Sequence, residues 1–222
     1  VQAGIQLNHI KSNSHKARTK LIKIQLSKVK QTMNVLIIYA HPNPLSFNQS
    51  ILKVINSAFK KKGSNVRLKD LYAERFDPVL GEAQLSLQTE GKLPEDIKRE
   101  QEQVTWADTL VIIYPLWWFD RPAILKGWFD RVFTNGFAFN FDKTGIQGLL
   151  KDKRAIVVVT AGGTREDFGK NADQLTKSTT EGTLAFCGVT DIVDRVFYSV
   201  PMVEDEARIK MLEELEQMVE EF

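Results

Sequence analysis

The chain has 222 residues, 43% of them hydrophobic and 26% charged. That is enough for one core of ordinary size plus an appendage, at the charge content of an ordinary soluble protein. Its net charge of +2 hides an asymmetry: residues 1–32 carry seven Lys or Arg and no acid, which leaves 23 basic against 28 acidic residues, a net of −5, beyond them. No apolar run approaches the roughly 18 residues that read as a membrane span, so membrane insertion is not expected. The body shows no basic surface of the kind that binds nucleic acid. The single Cys187 excludes internal disulfides and multi-cysteine metal sites and suits the reducing cytoplasm. Its apolar neighbours make it a buried, inert thiol.

Residues 1–32 have no clear periodicity and read as a basic, disordered leader, with a mitochondrial-type presequence as the alternative. The fold is expected from 33 to 222. Residues 35–39 form an apolar run suited to a buried strand, followed by a loop to Asn48. An amphipathic helix over 49–62 turns Ile51, Leu52, Ile55 and Phe59 inward and stops at Gly63. A more exposed second strand covers 66–70, completing a βαβ unit whose crossover is nearly always right-handed. A long loop is expected over 71–93, then a helix over 94–106 and a third strand over 109–113.

This third strand is an unbroken apolar run, which requires layers on both of its faces. It leads into Trp117, Trp118 and Phe119, and then into a helix that Pro122 opens. Residues 135–150 read as irregular. A fourth strand over 153–160 ends at Ala161, Gly162 and Gly163. A helix over 175–186, a fifth strand over 191–198 and a terminal helix from 204 complete the pattern. Strands alternating with helices predict an α/β doubly wound parallel sheet, in the flavodoxin-like order 2-1-3-4-5, with helices on both faces.

In that order the loops after strands one, three and four converge at the carboxyl edge, where open α/β sheets bind ligands. Ser46 and Asn48 lie near the mouth of the first helix, where N–H groups and short polar side chains bind anions or simply cap the helix. Neither a P-loop nor a G-x-G-x-x-G fingerprint is present. Three consecutive aromatics cannot all point inward, so some should line the crevice, and Gly162 with Gly163 would let backbone approach a flat ring. His41 is the only histidine beyond residue 32. That argues against a His-based triad or a multi-His metal site and in favour of a cofactor that carries the chemistry. A flavin fits this layout.

Ala40 and His41, Ser46 to Asn48, Asp70 to Ala73, the Pro115–Phe119 and Pro122–Phe129 stretches, Arg131 to Phe133, Gly162 with Gly163, and Phe186 to Gly188 carry a resemblance. Across nearly all of residues 33–220 the chain resembles the NAD(P)H:quinone oxidoreductase (DT-diaphorase) family of flavodoxin-like flavoproteins. The resemblance implies a homodimer with FAD, or alternatively FMN, at two interface sites. It implies two-electron ping-pong transfer from NADPH or NADH to quinones, and to nitro- or azo-aromatics as further acceptors. His41, Ser46, Phe47 and Asn48 would meet the phosphates and ribityl chain. Leu116, Trp117, Trp118 and Phe119 would line the isoalloxazine, with Thr160, Ala161, Gly162 and Gly163 at its other edge. Phe139 and Phe141 would be offered to the substrate from the partner subunit.

The chain departs from the pattern after the glycine pair. The family's best-known members place a Tyr and a His there, proposed to manage charge on the reduced flavin; this chain has Phe168 and Gln174. Either backbone donors around Gly162 and Gly163 take that role, or turnover is slower. A second expectation is an ancillary flavoprotein subunit of a potassium efflux system with low activity of its own.

Overall fold

The structure is a computed structural model that describes residues 32–143 and 145–222; the expected leader therefore lies, but for Thr32, outside the described residues. Five parallel strands form the central sheet: β1 (Asn34–Tyr39), β2 (Asn65–Asp70), β3 (Thr109–Pro115), β6 (Arg154–Thr160) and β7 (Asp191–Phe197). Their spatial order is β2-β1-β3-β6-β7, the doubly wound order expected. Parallel neighbours need crossovers. These are supplied by α1 (Phe47–Lys61), by α2 (Glu82–Thr89) with α3 (Glu95–Trp106), and by α4 (Ala123–Val132) with a hairpin of β4 (Phe139–Asp142) and β5 (Gly145–Gly148). A terminal helix, α5 (Asp205–Glu221), follows β7.

The strands β3 and β6 are apolar at nearly every position because each is covered twice. On one face Leu36, Ile38, Leu110, Ile112, Ala155 and Val157 pack with Trp128, Phe129 and Val132 of α4 and Ile97 of α3. On the other, Val35, Ile37, Val111, Ile113, Ile156 and Val158 meet Ile51, Ile55 and Phe59 of α1 and Leu215 and Val219 of α5. Side chains of the size of Val, Leu or Ile contribute about 1.5–3 kcal/mol each when fully buried, so these two layers dominate the stability of the fold.

Three segments differ from expectation. The stretch 71–93 is not a simple loop, since it contains α2. That helix buries only Gln84, so it carries no apolar stripe. It docks through polar bonds instead: Gln84 Nε2 donates to Arg131 O at 2.8 Å, and Arg131 Nε donates back to Gln84 Oε1 at 2.8 Å. The irregular stretch expected over 135–150 is in part the β4–β5 hairpin, with Phe139 opposite Gly148 and Phe141 opposite Ile146. The helix expected over 175–186 is a short α-turn (Lys177–Thr179) that widens into a π-turn (Thr180–Ala185). Hydroxyls compete with the regular ladder there: Thr180 Oγ1 donates to Thr176 O at 3.2 Å and Thr183 Oγ1 to Ser178 O at 2.8 Å.

Candidate functional site

Register sets the site. Tyr39 pairs with Ile113, and Pro115 with Thr160, so the chain leaves β1, β3 and β6 side by side at the carboxyl edge. The exits are tied together: Ala40 N–H donates to Ile113 O at 3.0 Å, Leu116 N–H to Thr160 O at 2.7 Å, and Ala161 N–H to Phe197 O at 2.8 Å. Between them opens a cleft of about 510 Å³. It is lined by His41, Asn43, Ser46, Phe47, Asn48, Pro115, Leu116, Trp117, Thr160, Ala161, Gly162, Val200, Pro201 and Arg208.

The floor at the α1 end is polar. This helix begins two residues earlier than its apolar periodicity indicates, because Ser46 is its N-cap. Ser46 Oγ accepts from Gln49 N–H at 3.3 Å and lies 3.3 Å from Tyr39 Oη. The N–H groups of Phe47 and Asn48 are in the first turn, which has no intrahelical acceptors for them. Asn48 is buried and its Nδ2 donates to Thr160 Oγ1 at 2.7 Å. Its Oδ1 is buried and has no protein partner. Buried polar atoms are nearly always satisfied, so this oxygen is free to accept from a donor placed in the cleft.

His41 closes one side. Its Nδ1 accepts from Asn43 N–H at 3.0 Å and its ring lies 6.3 Å from that of Trp117. Burial holds its pKa below the usual imidazole value, so the neutral ring prevails near pH 7 and carries its proton on Nε2. Across the cleft, Arg208 of α5 is held by Val200 O, 3.2 Å from Nε and 3.1 Å from Nη2, and by Asp205 Oδ1, 2.6 Å from Nη1. Together with the helix start it gives the cleft an anion-attracting character.

The aromatic stretch is a tight turn. Trp117 N–H donates to Asp120 O at 2.9 Å and Asp120 N–H to Trp117 O at 3.1 Å. Trp118 and Phe119 occupy the two central positions with φ of 51° and 64°. Two successive positive φ values are the signature of a primed hairpin turn, which favours Asn-Gly. Here two bulky aromatics hold left-handed backbone at roughly 1–2 kcal/mol each. The turn splays the rings apart: Trp117 lines the cleft, Trp118 projects into solvent at 97% exposure, and Phe119 packs edge-on against Phe168 at 5.5 Å.

The cleft thus gathers His41, Ser46, Phe47, Asn48, Leu116, Trp117, Thr160, Ala161 and Gly162 of the residues predicted from sequence. Trp118, Phe119, Gly163, Phe168, Gln174, Phe139 and Phe141 do not line it. Gly162 leaves open space where a Cβ would stand, as a closely approaching ring requires, whereas a Cβ on Gly163 would lie 3.1 Å from Asp167 Oδ2. The second glycine therefore accommodates the capping box that Thr164 and Asp167 make around the short helical turn Arg165–Phe168. Phe168 packs between Phe119 and Tyr198, edge-on to the first and tilted against the second, and Gln174 is exposed at the end of a 3₁₀ turn, Gly169–Gln174. Tyr198 does not restore the missing phenol, since its Oη donates to Ala172 O at 3.1 Å and faces a separate polar recess. Phe139 packs on Phe186 at 5.5 Å, and Phe141 is 68% exposed on the hairpin.

Sequence reasoning missed Asn43, Pro115, Val200, Pro201 and Arg208. Only the Asp205–Arg208 spacing at the start of α5 hints at the last of these, and nothing local places it over the first helix. Among the described residues no cluster of His, Cys, Asp and Glu is arranged for a metal, and no helix is long and apolar enough to cross a membrane.

The comparisons agree with this fold. Residues 33–220 match the model of a family described as having a flavodoxin-like fold. The chain is 36% identical over 185 residues to an uncharacterized NAD(P)H oxidoreductase of Haemophilus influenzae, covering 82% of this chain and 91% of that protein. It is 33% identical over 199 residues to NAD(P)H dehydrogenase [quinone] 1 of Cavia porcellus, covering 80% and 72%. The solved NAD(P)H:quinone oxidoreductase of Methanothermobacter marburgensis superposes with a TM-score of 0.75 at 32% identity, covering 85% of this chain and 98% of that one. A parallel sheet in this order, a cleft where its first, third and fourth strands end, and relatives of this likeness place the chain in the NAD(P)H:quinone oxidoreductase family of flavodoxin-like proteins, a family of oxidoreductases.

Proposed function

We propose that the cleft holds a flavin and that the protein transfers electrons in pairs from NADH or NADPH to quinones. The observation that carries this reading is that the start of α1, suited to binding an anion, opens on the same cleft of about 510 Å³ as Trp117 and Gly162, which would flank the slot for the ring. Gly162 leaves open space where a Cβ would stand, and the unpartnered Asn48 Oδ1 is buried among the lining residues. A bound flavin supplies reversible hydride acceptance and donation. The residues of the chain do the rest. The first turn of α1 and Arg208 attract the phosphates. Trp117 and Leu116 cover one side of the slot and exclude water. Backbone at Ala161 and Gly162 approaches the other edge and is available to hold charge there, in place of the Tyr–His pair that Phe168 and Gln174 cannot supply.

FAD is proposed over FMN on the likeness to the FAD-binding branch, in which the 71–93 segment has its counterpart. Ping-pong exchange of nicotinamide and acceptor at one slot, acceptance of nitro- and azo-aromatics, a cytoplasmic location and a homodimer are further parts of the proposal. In the dimer, Phe139 and Phe141 reach the partner's slot. The relatives named for quinone reduction favour an enzyme over an ancillary efflux-system subunit.

Anaerobic addition of NADPH to the yellow, flavin-loaded protein tests this reading. Bleaching is expected, followed by recovery of the oxidised spectrum on adding a quinone. Failure to bleach with either nicotinamide overturns it. Heat release and chromatography of the cofactor then identify FAD or FMN.

A further inference from the structure

Immediately behind the aromatic turn, Asp120 and Arg121 grip one stretch of chain. Ser178 Oγ donates to Asp120 Oδ1 at 2.7 Å, and the same oxygen accepts the backbone N–H of Arg121 at 2.7 Å. Arg121 Nη1 donates to Thr183 Oγ1 at 2.9 Å and lies 3.4 Å from Thr179 Oγ1, which is 2.9 Å from Tyr114 Oη. The guanidinium lies 4.9 Å from the centre of the Phe129 ring. The last residues of β3, the turn and the π-turn that begins at Thr180 are thereby locked to one another. Such π-turns are frequent at functional sites.

Two observations separate this pair from an ordinary stabilising ion pair. The first is that Arg121 is deeply buried yet incompletely satisfied. Its Nε has no hydrogen-bond partner, and the Asp120 carboxylate is 3.8 Å away. On the same side of the sheet, Arg131 uses Nε, Nη1 and Nη2 on Gln84, Asp77 and Asp96, each at 2.8 Å. An interior guanidinium with a spare donor stabilises a fold less than an apolar side chain of similar volume. The second is that the turn it abuts is intrinsically unfavourable, with Trp118 and Phe119 both left-handed and only the two Trp117–Asp120 bonds closing it.

We infer that Arg121, seated by Asp120, is a positioning residue that pins the Trp117–Phe119 turn in its left-handed form and so fixes Trp117, the one ring of the three that lines the cleft where the cofactor would lie. Its consequence for catalysis rests on the flavin reading above; its effect on the turn does not. Replacing Arg121 by Met strands no partner, because Thr179 keeps Tyr114, Thr183 keeps Ser178 O, and Asp120 keeps Ser178.

The test is amide hydrogen exchange on the cofactor-free chain, comparing peptides over 115–121 with those over 34–39 and 154–160, alongside thermal denaturation. Arg121→Met is expected to accelerate exchange at 115–121 by about tenfold or more with the sheet peptides and Tm unchanged. In the flavin-loaded variant, kcat should fall on the order of tenfold, as small misplacements of reacting groups do, with flavin still bound. Arg121→Lys keeps the charge but not the fork, so it should show the same local acceleration, and it serves as the readout should the Met variant fail to fold. Unchanged exchange at 115–121 in either variant overturns the inference. So does acceleration spread through the sheet with a lowered Tm, which is the signature of a purely structural residue. Should the wild type bind no flavin, the function proposed above falls while the exchange result still stands or fails by itself.

Discussion

Asn48 Nδ2 donates to Thr160 Oγ1 at 2.7 Å, joining the mouth of the first helix to the end of a strand more than a hundred residues later. The amide oxygen of the same side chain has no protein partner. Asn48→Ala removes both the strut and the spare acceptor. Stability should drop by about 1 kcal/mol, the net worth of one buried hydrogen bond, and flavin affinity should weaken by roughly tenfold, equivalent to about 1.4 kcal/mol. Thermal denaturation and a flavin titration measure the two effects separately.

Trp118 is left-handed and almost wholly exposed, so it strains the backbone without burying anything of its own in return. Asn tolerates that conformation far better. Trp118→Asn should therefore raise stability by about 1 kcal/mol in urea denaturation. If Trp118 covers the ring when the cofactor and partner are in place, the same variant should lose acceptor affinity. A variant both less stable and equally active contradicts this account of the turn.

The parts of the molecule legible in advance were those where one short stretch carries its own reason. The run 109–113 had to be a doubly covered strand, the runs 35–39 and 153–160 read as strands beside it, and alternation with helices led to the order observed. Ser46 and Asn48 announced the helix mouth by residue type. The α2 helix was not legible because its single buried side chain is Gln84, whose partner Arg131 lies 47 positions away. Nor was the direction of Trp118, since positive φ at a bulky residue is decided by the turn it closes and not by its own preference. Arg208 was invisible for a similar reason: its place in the cleft exists only once α5 has packed beside α1.

That same Arg131 supports a third prediction. Its three donors hold Asp77 O, Gln84 and Asp96, so Arg131→Met leaves the buried Gln84 amide oxygen and the Asp77 carbonyl unpaired. A loss of about 3 kcal/mol is expected, at the low end for a broken buried ionic network because Asp96 is half-exposed. Limited proteolysis should then cut first between 71 and 93, where the docking is undone.

The pH dependence follows from His41. Burial holds the folded pKa below the ordinary 6.5, so just under that pH the unfolded chain binds more protons than the folded one. The stabilising contribution is complete above pH 6.5 and is lost as pH falls through the folded value. His41→Gln should flatten this part of the stability curve, and titration of the imidazole by NMR should show the lowered midpoint directly.

Every strand pairing in the central sheet is parallel, and each bridges an intervening crossover; among the described residues the β4–β5 hairpin is the one pairing of strands that needs no crossover. No two sheet neighbours can therefore zip up from a turn, and the chain must close several large loops before the core repays their entropy. Refolding should accordingly proceed on the millisecond-to-second scale, slowly for the size of the protein, with β3 as the seam to which both halves have to attach.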